Sequence, residues 1–489
     1  MRRFRIDRLG GVLLAGAMLC ASLVCSAQVD TVEVRIWGGQ QDDRGVRLIS
    51  LQNGEVLSLS STNSTSNNQP QAWVQRLDGD AQPIWETTLN DEPLLQPVDA
   101  VEHEDGRITV LSMRYANAAE GYDWQWHTLD PNGSVVSSQT WGTAAWDLPQ
   151  RCFDREGELW SVGTTYISGA GDTQWTRHTW MGNSWALSDA SSFGFDEEEV
   201  VTDALIVGDT LLVSATLPGL ERAQLSAFDL MTEETVWSFT SAWNEPTVSV
   251  ALDSRNQTVA ALMNVETAEG MRLAFACLSL DGDTLLEKIP GSGVDVESFD
   301  LQWYSDVDFA TISMTEGLGL GGEELLFSRW SAVTGAWQGG PTFGTQWDER
   351  PASMLHDAAN RIWILGRTDG YSNGRDDVYL LQLEDASVGD YYVNVETNIT
   401  DVSLSTPSDL LLDESVWQVV PNPVSGVFEI RGHQPGQRWK VMDASGRTIA
   451  EGCENHADAS QWPAGMVWML CSDANQSRPM RPLVLIVVQ

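Results

Sequence analysis

Carboxylates are the reactive group this 489-residue chain supplies in quantity: 69 Asp and Glu stand against 28 Lys and Arg, for a net charge of −41. They gather at Asp42-Asp43, Asp147, Asp196-Glu197-Glu198-Glu199, Asp295 with Glu297, and Asp348-Glu349. Acids in groups suit several chemistries. A pair flanking a glycosidic bond works as acid and base, and roughly six to eight oxygens hold calcium. Single acids accept the N–H groups of tight turns or meet a cationic or sugar ligand. The turn-capping reading is the plainest. A second, weaker calcium set is Asp369, Asn373, Asp376 and Asp377, whose spacing departs from the known calcium loop. No other cofactor is suggested, and no catalytic residue stands out. The six histidines, His103, His127, His178, His356, His433 and His456, are scattered singly, without paired metal spacing. A Gly-x-Ser-x-Gly elbow, a phosphate loop and a zinc-protease motif are all missing from the sequence.

Charge divides the chain. Residues 1–27 carry +3 and 417–489 are neutral, so 28–416 carry −44. Such a surface repels nucleic acid and anionic lipid, which excludes simple binding of either. Hydration in a salty medium accounts for it more simply than a calcium-dependent surface does. At the start, Arg2, Arg3, Arg5 and Arg8 precede an apolar stretch over 9–24 and then Cys25-Ser26-Ala27, the pattern of a secretory signal cut between Ala27 and Gln28. A retained anchor is the less favoured alternative. Lipid attachment is disfavoured, because neither Cys20 nor Cys25 follows the small residues it requires. Past the signal no stretch is long and apolar enough to span a bilayer, so the mature chain is expected to have no membrane span. Cys152 and Cys277 lie in apolar runs and read as buried small hydrophobes. Cys453 and Cys471 share the C-terminal region, where export would favour a bridge if folding brings their Cα atoms within roughly 7 Å.

Positioning these groups falls to a repeat. A short punctuation recurs as Trp37-Gly38, Leu89-Asn90, Trp141-Gly142, Phe193-Gly194, Trp243-Asn244, Ser292-Gly293 and Phe343-Gly344, at steps of 52, 52, 52, 50, 49 and 51 residues. Each unit opens with a turn, such as Gln52-Asn53-Gly54 or Glu104-Asp105-Gly106. A short apolar strand follows, as at 107–111 and 361–365, and then a polar loop. A second strand ends at another turn, as at 73–79 and 278–282, and a last one often carries Trp, at Trp85, Trp237 and Trp337. These are signals of strands, not helices. A four-stranded sheet has two apolar faces and covers neither alone; stacking face to face around an axis covers both.

Seven units therefore predict an all-β chain, a seven-bladed β-propeller over 28–396, with most of the 22 tryptophans wedged between blades. Segments 31–37 and 391–396 compete to close the ring. The first is preferred, because it ties the two ends together. The grouped acids follow the same punctuation in every unit, so they should share one face as an acidic rim. Residues 397–415 read as a linker and 416–489 as a small β-sandwich.

The stretch Trp37-Gly38-Gly39-Gln40-Gln41-Asp42-Asp43-Arg44-Gly45 resembles the opening of bacterial extracellular propeller repeats. Leu365-Gly366-Arg367-Thr368, with the run from Asn373 through Asp376-Asp377 to Leu380, resembles their middle. That likeness implies a non-enzymatic repeat scaffold, often joined to a sorting domain. The C-terminal region carries Pro421-Asn422-Pro423, then Asp443-Ala444-Ser445-Gly446-Arg447, a late Gly465 and a final apolar run at 483–488. Their order is similar to the C-terminal sorting domain of the bacterial type IX secretion system. It implies passage across the outer membrane of a Bacteroidota-like bacterium by that machinery, to a secreted or cell-surface location. The leading expectation is a non-catalytic binding or adhesion module for a glycan or surface protein. The alternatives are a polysaccharide-directed lyase or hydrolase using paired carboxylates at the central opening, and a structural surface-layer component. Asp281-Gly282-Asp283-Thr284 approaches the sialidase Asp-box but lacks its Ser and Trp.

Overall fold

In the computed structural model the described residues run from Val32 to Val487, with breaks at 66–68, 90–93, 118–120, 168, 195–196, 292–293, 317–321, 346, 371–375, 385–391, 395–398, 404–417, 421–426, 432–437, 443–447, 461–464 and 473–478. Their regular structure is entirely β, and no helix occurs among them. Six sheets follow the chain as simple antiparallel meanders, over residues 43–89, 95–141, 147–193, 200–240, 247–288 and 296–344. A seventh is built from 349–384. The first strands of the sheets, Asp43–Ser50, Leu95–Glu102, Asp147–Arg155, Val200–Val207, Thr247–Arg255, Val296–Trp303 and Glu349–His356, each touch the next, and the last touches the first. The chain is a seven-bladed β-propeller, as its repeat predicts.

Ring closure falls to the N-terminal strand. Val32–Trp37 pairs antiparallel with Asp377–Glu384 and becomes the fourth strand of blade 7. Of the competing segment, Tyr392–Asn394 pairs parallel with Thr342–Gly344 on the rim of blade 6. Part of the stretch read as a linker is also a strand: Ile399–Ser403 lies parallel to Val32–Trp37, so blade 7 has five strands.

Each blade's middle strands are buried on both faces, as Val56–Thr62 is, while outer strands such as Val135–Trp141 alternate towards solvent. That difference follows from position, since only the outer strand has an open edge. Seven apolar clusters fill the seven gaps between adjacent blades. Strand alternation assigns the faces. In blade 7, Ile362 and Ile364 turn to blade 6, whereas Trp363 and Leu365 turn to blade 1. Trp37, Trp73, Trp124, Trp126, Trp160, Trp175, Trp185, Trp303, Trp330 and Trp363 are all buried in these gaps.

The punctuating glycines have a steric cause. A Cβ on Gly38, Gly142 or Gly194 would stand 2.1, 2.2 or 2.4 Å from Oδ1 of Asp377, Asp123 or Asp172, each near the start of the third strand of the same blade. Only hydrogen fits there.

The C-terminal region forms two antiparallel sheets. One contains Gln418–Val420, Val427–Arg431 and His456–Asp458; the other contains Thr448–Gly452, Arg438–Met442, Gly465–Ser472 and Pro479–Val487 in that spatial order. Gly465 opens a strand, while Pro421, Asn422, Pro423, Asp443, Gly446 and Arg447 lie outside the described residues, as do Ala27 and Gln28. Cys453 adjoins the strand Thr448–Gly452 and is exposed and free. Arg438–Met442 runs between that strand and the one bearing Cys471. Two strand spacings, about 9–10 Å, therefore separate the two cysteines, and the expected bridge does not form.

Candidate functional site

The acids that open each unit, apart from Asp196, which lies outside the described residues, do lie on one face, the upper one, where the innermost strands begin. Several, however, turn inward instead of into water. Asp43, Asp147, Glu199 and Glu349 are buried. Asp43 accepts the N–H of Gly39 at 2.6 Å, Asp147 that of Thr143 at 2.5 Å and Glu349 that of Thr345 at 3.0 Å. A hydroxyl completes each staple: Ser64 donates to Asp43 at 2.8 Å, Thr165 to Asp147 at 2.6 Å and Thr368 to Glu349 at 3.1 Å, while Glu199 takes the Thr173 hydroxyl of the preceding blade at 3.1 Å. Burial pushes the pKa of Asp43 up and that of Glu349 to about 7. These acids hold blade openings together.

A second set of charges meets at the axis. Every innermost strand carries a bulge, at Val46, Val98, Gln150, Thr202, Val250, Phe299 and Ala352. An extra residue twists the strand and re-aims the next side chain. The residues that follow are Arg47, Asp99, Arg151, Asp203, Ala251, Asp300 and Ser353. Arg47 lies 3.2 Å from Asp99, and Arg151 bridges Asp99 at 3.6 Å and Asp203. The carboxylates also reach into the next blade. Asp99 accepts the N–H of Cys152 at 2.9 Å, Asp203 that of Leu252 at 2.8 Å, Asp253 that of Trp303 at 2.9 Å and Asp300 that of Met354 at 2.8 Å. Ser353 Oγ accepts the N–H of Leu48 at 3.2 Å, which completes the round from blade 7 to blade 1. Burial raises the pKa of Asp99, Asp203 and Asp253 to about 6 and raises that of Asp300, against the attraction of Arg47 for Asp99, Asp203 and Asp300. The axis is a fastening of charges and amides.

The weaker calcium set is dispersed among separate partners. Asp376 takes Arg44 at 2.7 Å and Arg367, Asp377 is buried beside Gly38, and Asp369 accepts the N–H of Asp348 at 3.1 Å. Asn373 lies outside the described residues. Among the described residues no group of three or more His, Cys, Asp or Glu is disposed to hold a metal ion. Between blades 6 and 7 the upper face has a crevice of about 500 Å3 lined by Glu316, Gly322, Glu323 and Asp348. Arg350 pairs with Glu323 through one guanidinium edge, Nε and Nη2 each donating to a different carboxylate oxygen.

Two arrangements escape sequence reading. His103 contacts Asp154 at 2.5 Å and Thr109 at 2.8 Å; Thr109 meets Thr128 at 3.2 Å, and Trp185 donates to Thr128 at 3.0 Å. The order imitates a catalytic chain. Thr109 and His103 are buried, however, and the chain ties blade 2 to blade 3. The other arrangement is open. On the upper face Tyr115 packs edge-on to Tyr122 at 5.3 Å, and Tyr122 edge-on to Trp146 at 5.5 Å. Trp146 is 54% exposed. Its carbonyl accepts the N–H of Tyr166, whose phenol bonds Glu198.

Comparison with known proteins follows the fold and nothing finer. No family model matches the sequence and no curated protein matches it. Among solved structures the Dos1 propeller is similar at 9% identity and a TM-score of 0.42, over 74% of this chain and 98% of that one. The polysaccharide lyase Uly1 is similar at 9% identity and 0.45, over 71% and 90%. The NanB sialidase from Streptococcus pneumoniae is similar at 11% identity and 0.38, over 69% and 68%. At such identities and scores the likeness concerns the arrangement of sheets and bears on no ligand or reaction. Among the described residues no helix is long and apolar enough to cross a membrane.

Proposed function

We propose that the protein is an exported or surface-attached propeller that binds a ligand through its upper loops and has no catalytic activity, carried outward by the type IX machinery. One observation carries the binding reading: the acids that chemistry at the central opening would draw on, Asp99, Asp203, Asp253 and Asp300, are each engaged by an amide of the neighbouring blade. A carboxylate so held supports the ring and has little freedom to exchange a proton with a substrate. The loops of the upper face, by contrast, present side chains on a rigid frame. Support for export comes from the basic and apolar start, the order of the C-terminal motifs, and the separate pair of sheets in which Gly465 begins a strand.

A glycan array probed with the mature chain, with and without a chelator, tests ligand and calcium together. Retained binding without turnover is expected, and release of shortened or unsaturated sugars would replace this reading with the lyase or hydrolase one. For export, deletion of 416–489 is expected to leave the protein in the periplasm of a type IX-competent host. Unchanged surface delivery would reject that route.

A further inference from the structure

We propose that the aromatic row on the upper face of blades 2 and 3 is a platform for a neutral polysaccharide, with Trp146 as the surface on which a sugar ring stacks. The inference rests on the binding reading above and names its site. Trp146 differs from the tryptophans of the blade gaps in belonging to none of the seven apolar clusters. Its ring is nevertheless pinned. Tyr122 meets it edge-on, and Gly121, at φ +80, lies so close that a Cβ there would stand 2.1 Å from the indole Cδ1. An aromatic side chain fixed before the ligand arrives loses little freedom on binding.

The surroundings match the chemistry of a pyranose. A sugar ring offers a flat C–H face, slightly positive, that suits the negative face of an indole. Its edge offers hydroxyls that need donors and acceptors. Next to Trp146, whose carbonyl accepts the Tyr166 N–H, these are the Tyr166 phenol and its partner Glu198. Other occupants fit less well. Acidic polymers and anionic membranes meet the −41 charge of the chain. A stable protein interface needs about 800 Å2 on each side with an apolar centre, whereas the exposed apolar surface here is one indole with Ile167 beside it.

The test measures binding of neutral glucans and mannans and of anionic alginate and pectin by the mature chain, by Trp146→Ala, by Trp146→Phe and by Trp337→Ala. Among the described residues Trp337 is the other exposed tryptophan, on the outer strand of blade 6, and serves as the control. Neutral glycans are expected to bind. Trp146→Ala should weaken them about thirtyfold, the size expected for a truncated central anchor, with an unchanged melting temperature. Trp146→Phe should retain part of the affinity, and Trp337→Ala all of it. Undiminished binding by Trp146→Ala would overturn this site and leave the binding reading standing. Binding of anionic glycans alone, or of none, would overturn the neutral-sugar assignment. Turnover of any glycan would overturn the binding reading beneath it.

Discussion

At the scale of single residues, the axial aspartates govern how the ring responds to acid. Asp253 titrates near 6 in the folded chain against an ordinary value of 3.8, so between these limits the native state holds the extra proton. The stability this group contributes is complete below 3.8 and is lost as pH rises through 6. His178 runs the other way. Burial lowers it from 6.5 to about 4, and its contribution, present above 6.5, is lost as pH falls through that lower value. Asp253→Asn keeps an acceptor for the Trp303 amide and removes the titration, while the histidine term cancels between the two proteins. Relative to the parent, the variant should melt roughly 1–3 °C higher at pH 7.5 than at pH 5, as read by calorimetry. An equal offset at both pH values would contradict the assignment. A second residue test concerns the punctuation: Gly142→Ala should cost about 1–3 kcal/mol through overpacking against Asp123, measured from denaturant midpoints.

At the scale of elements, the latch is the exposed weakness of the ring. Val32–Trp37 contributes Val34, Ile36 and Trp37, all buried, and its removal uncovers the edge of Asp377–Glu384. Each such side chain is worth about 1.5–3 kcal/mol when buried, which together is comparable with the whole stability of an ordinary domain. A chain lacking 28–37 is expected to lose cooperative unfolding and to be cut rapidly in limited proteolysis; resistance equal to the parent's would show that another segment closes the ring. Much of this level was legible in the sequence. Paired turns such as Asp78-Gly79 and Asp281-Gly282 and the two-residue alternation at 361–365 marked the strands, because turn chemistry and face assignment are local. The bulges were not legible. They follow Gly45, Pro97, Pro149, Val201, Ser249, Ser298 and Pro351, which share no local signature, so the side chains they aim at the axis vary from Arg to Asp to Ala. Trp146 stayed hidden for a related reason: a tryptophan on a loop and one in a gap read alike until burial is known.

At the scale of the whole molecule, charge and closure act against each other. Of the −44 carried by 28–416, −40 belongs to 28–396, once Asp401, Asp409, Asp413 and Glu414 are set aside, and it is spread over a closed ring that cannot expand without breaking a gap. Raising salt from about 0.01 M to 1 M shortens the screening length from roughly 30 Å to 3 Å, so the melting temperature is expected to climb by several degrees. A fall would mean that ion pairs such as Arg350 with Glu323 outweigh the mutual repulsion. The fifth strand of blade 7 bears on a different circumstance. Ile399–Ser403 leads towards the C-terminal sheets and lies lengthwise along the strand that closes the ring. Tension applied through a C-terminal tether, along that strand, would meet its row of hydrogen bonds in shear. The bonds would share the load and yield together, where a strand peeled from its end would yield one bond at a time.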